Sequence, residues 1–303
     1  MSSPRRIGLV VNPTSGKGRG RTLGADTAAL LRSAGHEVVT LSGESAAEAL
    51  DRCLAAVVSG LDTLVVVGGD GMVHLGANAV AGSDTAIAVV AAGTGNDNAH
   101  ALGLPVLDAA AAATIVDRGH RRRIDAVRQT RVGQRDQWYV GVLCGGFDAV
   151  VNERANTWAW PRGRMRYNLA IARELPVFKP IPYVIEVDGV RHSTQAMLVA
   201  VGNGPSYGGG MMVCPDACFD DGLFDIMILN QISTFEFLKV FPKVFSGRHV
   251  GHPAVQILRG AQVRLEAAGI VSYADGERFA PLPMSCQVVP AALHVLVPGP
   301  AVA

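Results

Sequence analysis

Over the first 125 or so residues, short β-rich runs without polar alternation are interleaved with Ala- and Leu-rich runs of helical period, an order few folds accept. Arg6–Val11, Glu37–Leu41, Thr63–Val67 and Ala86–Val90 read as strands apolar on both faces, as in a buried parallel sheet. Arg21–Ala34, Ser45–Ser59 and Met72–Ala81 read as the intervening helices, with another over Leu107–Asp117. This βαβα order predicts a doubly wound parallel α/β layer. Ligands of such layers sit outside the carboxyl ends of the strands, so the loops that follow each strand are where chemistry is expected.

The pattern changes near Arg121-Arg122-Arg123-Ile124-Asp125. Beyond it, Ala126–Val132, Gln137–Cys144, Ile181–Val187, Gln195–Val201, Leu223–Leu229, Val255–Arg259, Gln262–Glu266, Val271–Ala274 and Ser285–Pro290 read as turn-bounded strands. Helices over Arg164–Leu175 and Thr234–Val244 interrupt them. The expectation is two domains, in line with 303 residues at roughly 150 per domain. The first covers 1–125, with 291–303 returning to its sheet and Leu293–Val297 as an edge strand. The second, 126–290, is an antiparallel β-sandwich-like domain.

Composition excludes several classes. Lys+Arg 27 against Asp+Glu 26 leaves a formal charge of +1, so no global field favours nucleic acid. Hydrophobic residues make up 49% of the chain, yet no apolar run reaches the roughly 18 residues of a membrane-spanning helix. Asn12-Pro13 cuts the first apolar run too short for a signal peptide, which favours a cytoplasmic location. Five cysteines, an odd number in a chain long enough to bury a core, read as reduced thiols.

Three strand-end loops are rich in Gly and polar residues. Asn12-Pro13-Thr14-Ser15-Gly16-Lys17-Gly18 offers backbone N–H groups and a helix terminus to an anion, although an ordinary glycine turn explains it as well. Gly68-Gly69-Asp70-Gly71-Met72 lets backbone approach phosphates and places a carboxylate for Mg²⁺ or a ribose hydroxyl; capping alone explains Asp70 but not the three glycines. Gly93-Thr94-Gly95-Asn96-Asp97 carries side chains that bond phosphate or ribose oxygens, while Asp97 equally caps the next turn. Their coincidence on one sheet edge argues for a nucleotide cradle. Farther on, Asp275-Gly276-Glu277 follows a strand and reads either as a plain hairpin turn or as a pair of carboxylates facing a cleft.

In these motifs the sequence resembles the diacylglycerol kinase catalytic-domain superfamily, which includes bacterial lipid kinases, sphingosine kinases and ceramide kinases. The resemblance continues through Asn203-Gly204, Gly208-Gly209-Gly210, Asp221-Gly222-Leu223-Phe224-Asp225 and Asp275-Gly276-Glu277, and so spans nearly the whole chain in order. Met72 departs from the Thr or Ser usual at its position. The resemblance implies an ATP-dependent kinase acting on a lipid hydroxyl, diacylglycerol foremost. Nucleotide contacts are then implied for Asn12, Pro13, Thr14, Ser15, Gly16, Thr40, Gly68, Gly69, Asp70, Gly71, Met72 and Thr94. Glu277 is implied as general base, Asp70 and Asp275 as organisers of the catalytic Mg²⁺, and Asp125 as another acid near the cleft. A structural Mg²⁺ is implied on the acidic loop through Asp221 and the backbone carbonyls of Cys218 and Leu223.

Two other readings compete: an NAD kinase-like soluble phosphotransferase, and a catalytically silent homologue that binds lipid or nucleotide. The expected partner is a lipid at a membrane surface, to which the protein binds peripherally, with no nucleic acid; a homodimer is left open. Trp158 to Tyr167 interleaves aromatic and basic residues, which fits either interfacial contact or a helix packed on the second domain.

Overall fold

The computed structural model describes residues 3–130, 133–158, 160, 164–174 and 177–299. Strands β1 (Arg6–Val11), β2 (Glu37–Thr40), β3 (Thr63–Gly68) and β4 (Ala86–Ala91) form a parallel layer in the order β2-β1-β3-β4. Helices α1 (Arg19–Ser33), α2 (Ala46–Val58) and α3 (Asp70–Val80) alternate with them, followed by α4 (Asp97–Ala101) and α5 (Ala109–Arg118). The expected double winding is present. Leu64, Val66 and Ile87 pack on Cys53, Val73 and Ala77 of α2 and α3. Their strand neighbours Val65, Val67, Ala88 and Val90 pack on Ala28, Leu31, Ala112 and Val116 of α1 and α5. Successive side chains of a strand point to opposite faces, so helices on both sides require the unbroken apolar runs seen in the sequence. Burying each large aliphatic side chain here contributes about 1.5–3 kcal/mol.

The second region comprises β5 (Arg121–Gln129), β6 (Gln137–Tyr139), β7 (Val142–Gly146), β8 (Ile181–Val187), β9 (Val190–Gly202), β10 (Phe224–Asn230), β11 (Val255–Gly260), β12 (Gln262–Glu266), β13 (Val271–Ala274), β14 (Glu277–Pro281) and β15 (Met284–Leu296). With α6 (Phe147–Asn156), α7 (Arg164–Glu174) and α8 (Thr234–Val240) it forms the antiparallel β-sandwich-like domain. The helix expected to reach Val244 ends at Val240 and continues as a 3-10 turn over Phe241–Ser246. Pro242 has no backbone N–H to donate to the carbonyl four residues back, so the α-helical ladder stops there although Phe241 keeps helical dihedrals. Val132 and Leu175, expected at element ends, lie outside the described residues.

The boundary at residue 125 falls inside a strand. Arg121–Ile124 of β5 pairs with Leu293–Leu296 of β15 beside the parallel layer, and Ala126–Gln129 pairs with Cys286–Val289 in the second domain. Both strands therefore run through both domains. β15 is parallel to β4 at His294 and Val295 and antiparallel to β12 at its other end. Leu293–Leu296 is not an edge strand, because β4 flanks it on one side and β5 on the other.

The bend in β15 is pinned by Asp125. Its Oδ1 accepts the Ala291 N–H at 2.8 Å and its Oδ2 the Gly222 N–H at 2.7 Å. Its own N–H donates to the Phe219 carbonyl at 2.6 Å. Asp125 is buried and lines neither cleft described below, so its position is structural rather than catalytic. Asp125→Ala leaves two N–H groups without their charged acceptor and is expected to lower the unfolding free energy by about 3 kcal/mol, read by urea denaturation.

Candidate active site

The three Gly-rich loops meet because each has surrendered side-chain bulk where it faces another. A Cβ on Gly93 would lie 2.5 Å from the Gly69 Cα, and one on Gly16 would strike the Ala92 carbonyl. Within the first loop Gly16, Lys17 and Gly18 all have positive φ. Asn12 Oδ1 accepts from the Thr14 N–H at 3.1 Å and from its hydroxyl at 2.8 Å, which sets the turn. The third loop is tied by Asn96, whose Oδ1 accepts the Gly93 N–H at 2.8 Å.

Asp70, at the first turn of α3, receives the N-terminus of α4: its Oδ1 accepts the Asn98 N–H at 2.9 Å and its Oδ2 the Asp97 N–H at 3.2 Å. Burial pushes the Asp70 carboxyl up to about 6; the Asn98 and Asp97 N–H groups pull it down, and the charges of Asp97 and Asp275 raise it. Asp97 reaches the other way. Its carboxylate accepts the Gly209 and Gly210 N–H groups, each at 2.7 Å, and so binds the first domain to the second.

Asp275 and Gly276 have φ of 51° and 84° in the two-residue turn between β13 and β14. Left-handed backbone at both positions is what a tight hairpin of this twist requires. Asp275 is buried rather than extended into solvent. It accepts the Gly141 N–H at 2.7 Å and the Val140 N–H at 3.0 Å, with His74 Nδ1 at 3.2 Å. Glu277 begins β14, is exposed, and lies against Gly71, where any Cβ would meet its carboxylate. The two acids therefore do not face one point symmetrically: Asp275 is fixed in the wall and Glu277 stands free above α3.

Two clefts adjoin here. The larger, about 860 Å³, is lined by Asn12, Ser15, Gly16, Gly69, Asp70, Gly71, Met72, His74, Thr94, Asp275 and Glu277. The smaller, about 380 Å³, is lined by Asp97, Asn98, Asn152, Ser206, Tyr207 and Gly208. Asp70, Thr94, Gly95, Asp275 and Gly276 line both. Tyr207 also lines an apolar pocket walled by Phe147, Met211, Phe237, Val240, Phe241 and Val244. Among the described residues that line either cleft there is no Lys or Arg. Lys17, the cation of the first loop, is exposed outside them.

Of the remaining sequence candidates, Pro13 and Gly68 line neither cleft, and Gly68 lies beneath the Met72 side chain. Thr14 is the exposed partner of Asn12, and Thr40 is exposed at the end of edge strand β2, away from the cleft lining. Sequence reading missed His74, Asp97 as an interdomain tie, and Ser206-Tyr207. His74 follows Asp70 by four residues and so shares its helix face, a signal available in the sequence.

The residues implied as a structural metal site do not fit a divalent cation. Asp221 Oδ1 accepts the Leu223 N–H at 3.0 Å and its Oδ2 is held by Arg259 Nη2. Cys218 is exposed, with Sγ 3.5 Å from the Asp216 carbonyl. Among the described residues no Lys or Arg pairs with Asp70 or Asp275, whereas Arg259 pairs with Asp221; the basic side chain beside Asp275 is His74.

The contact between Gly69 and Gly93 yields a direct test. Gly93→Ala is expected to weaken binding of a fluorescent adenine nucleotide about 10-fold or more, since a methyl group there separates two loops by more than a closely packed site tolerates.

Residues 6–129 match the diacylglycerol kinase catalytic domain, and residues 141–297 match the YegS C-terminal NAD kinase beta sandwich-like domain. A diacylglycerol kinase of Mycobacterium tuberculosis is 39% identical over 294 residues, covering 97% of this chain and 95% of that protein. One of Bacillus subtilis is 28% identical over 299 residues, covering 97% of each. A crystal structure of a diacylglycerol kinase from Bacillus anthracis superposes over all of both chains with a TM-score of 0.76 at 24% identity. An NAD kinase from Archaeoglobus fulgidus, solved in complex with ATP, gives a TM-score of 0.52 at 14% identity, covering 96% of this chain and 92% of that one. Matched across both domains and nearly end to end, the chain belongs to the diacylglycerol kinase family and is a kinase that acts on an alcohol acceptor.

Proposed function

We propose that the protein transfers the γ-phosphoryl group of ATP to the free hydroxyl of diacylglycerol, giving phosphatidic acid and ADP. The observation that supports this reading is the adjacency of three spaces: the two clefts share Asp70, Thr94, Gly95, Asp275 and Gly276, and Tyr207 lines both the smaller cleft and the apolar pocket. In this reading the larger cleft holds the nucleotide, the smaller one the acceptor hydroxyl, and the apolar pocket, only about 60 Å³, the start of the hydrocarbon. An acceptor that is both alcohol and hydrocarbon suits that sequence of surfaces better than a dinucleotide does, which separates the reading from an NAD kinase-like one.

In this reading the backbone of the Asn12–Gly18, Gly68–Met72 and Gly93–Gly95 loops cradles the phosphates, as Gly-rich turns do. Asp70 and Asp275 would hold Mg²⁺, which would supply neutralisation of the charge on the transferring phosphoryl group. The cation would matter more here than in sites with a phosphate-binding Lys, because among the described residues no Lys or Arg lines the clefts. Glu277 takes the proton of the acceptor hydroxyl as its oxygen attacks phosphorus and the bond to the ADP oxygen breaks. Gly71 leaves the room Glu277 needs. Asp97 keeps the acceptor wall at Gly208–Gly210 in place through its two N–H bonds.

The acceptor reaches the pocket from a membrane. No helix among the described residues is long and apolar enough to span one. Support for surface binding comes from α8, which carries apolar residues on both sides: Phe237 and Val240 face the pocket, while Phe235 and Leu238 are 68% and 58% exposed. Lys239 Nζ lies 4.2 Å above the Phe235 ring, so a cation for anionic headgroups stands beside the exposed aromatic. In the Trp158 to Tyr167 stretch, Trp158 packs on the second domain and Trp160 is exposed, while Ala159 and Pro161 to Gly163 lie outside the described residues.

Labelled ATP incubated with Mg²⁺ and a total lipid extract is expected to yield phosphatidic acid on thin-layer separation; a protein that binds nucleotide but labels no lipid would instead be a silent homologue. Glu277→Gln is expected to lower kcat at least about 100-fold with the KM for ATP changed less than about threefold. Phe235→Ser with Leu238→Ser is expected to cut sedimentation with anionic vesicles about 10-fold, while phosphorylation of a dispersed short-chain diacylglycerol stays near the parent rate.

A further inference from the structure

We propose that Arg259 replaces a divalent cation at the acidic loop of the second domain, so that a guanidinium rather than a bound metal staples this loop to the sheet. Asp225 on β10 and Arg259 on β11 are direct cross-strand partners. Arg259 Nε donates to Asp225 Oδ1 at 2.7 Å, and its Nη2 donates to Asp221 Oδ2. One planar group thus bridges a strand carboxylate to the loop carboxylate, a geometry that suits the rigid fork of guanidinium donors. The Asp225 side chain is 3% exposed, so its charge needs a partner wherever the loop lies. The neighbouring acid Asp220 has its own arginine, with Arg122 Nη2 at 2.8 Å.

A dication at Asp221 would compete with this arrangement twice over. It would face the positive guanidinium at close range, and it would take oxygens already bonded to Arg259 and to the Leu223 N–H. What the staple holds is consequential: the same loop supplies the Gly222 N–H to Asp125 and the Phe219 carbonyl to the Asp125 N–H at the bend between domains. Arg259 is accordingly a positioning residue, and metal is needed for phosphoryl transfer but not for holding this loop.

The test is thermal unfolding of the intact, nucleotide-free protein in excess EDTA or excess MgCl₂, together with elemental analysis of bound Mg²⁺ and Ca²⁺. The parent protein is expected to unfold at the same temperature in both solutions, within about 1 °C, and to carry much less than one metal ion per chain. Arg259→Ala is expected to unfold about 5 °C lower in EDTA and to regain part of that loss in MgCl₂, because Asp221 and Asp225 are then two unneutralised acids side by side. Arg259→Lys, which keeps the charge but not the fork, is expected to fall between them and serves if the alanine variant does not fold. A parent protein that loses several degrees in EDTA and holds one metal per chain would overturn the proposal. So would an Arg259→Ala protein as stable as the parent in EDTA, or a lysine variant indistinguishable from it.

Discussion

Asp125 occupies the point at which the parallel layer becomes the antiparallel domain, and with Asp97 and the two strands that run through both it holds the domains in their relation. A buried carboxylate is costly unless its oxygens are matched. Here one oxygen is matched by the Ala291 N–H at the bend of β15 and the other by the Gly222 N–H of the acidic loop, while Asn203 Nδ2 lies 3.1 Å from the Asp125 carbonyl. Asn203-Gly204 then leads through Pro205 to Ser206-Tyr207, in the wall of the smaller cleft. Arg259 continues the chain of support outward by fixing the far side of the same loop. The geometry of the phosphoryl-transfer site is thus inherited from a polar junction well behind it.

The site itself is made of close backbone approach and unneutralised acid. Gly69 against Gly93 and Gly71 against Glu277 are contacts that a single methyl group would break. Burial, with the charges of Asp97 and Asp275, raises the Asp70 carboxyl to about 6 even though both its oxygens accept backbone N–H groups. Perturbation of this electrostatic kind concentrates where function needs it. Met72, the departure from the usual hydroxyl residue, fills the space over Gly68 with an apolar side chain.

How much of this the sequence discloses depends on the range of the interaction. The four parallel strands were legible because burial on both faces writes itself as an uninterrupted apolar run, and the glycine loops because positive φ and close approach admit little else. α4, five residues long, is too short for a period to show, and α6 follows Gly146, whose φ of 107° resets the chain without a conventional cap. The division at residue 125 was read from a change of pattern, whereas β5 carries that change within one strand. The role of Asp97 and the pairing of Arg259 with Asp221 join residues 112 and 38 positions apart, and no local spacing encodes either. Thr40, carried by resemblance alone, sits on the edge strand β2.

The two strands that cross the domain junction also set the order in which the molecule can be completed. The parallel layer closes with the strand that lies between β4 and β5, and that strand is the end of β15, synthesised after every other described element. Until it arrives, β4 exposes an unpaired edge and the beginning of β5 has no partner from the first domain. A ribosome-bound first half therefore cannot finish folding ahead of the second, unlike domains joined by a linker. Pairing residues some two hundred positions apart is a late and entropically slow step, and during it the nucleotide loops at the ends of β3 and β4 have half a sheet beneath them. Nucleotide-binding competence is then a property of the finished chain, acquired in one step with the closing of the sheet.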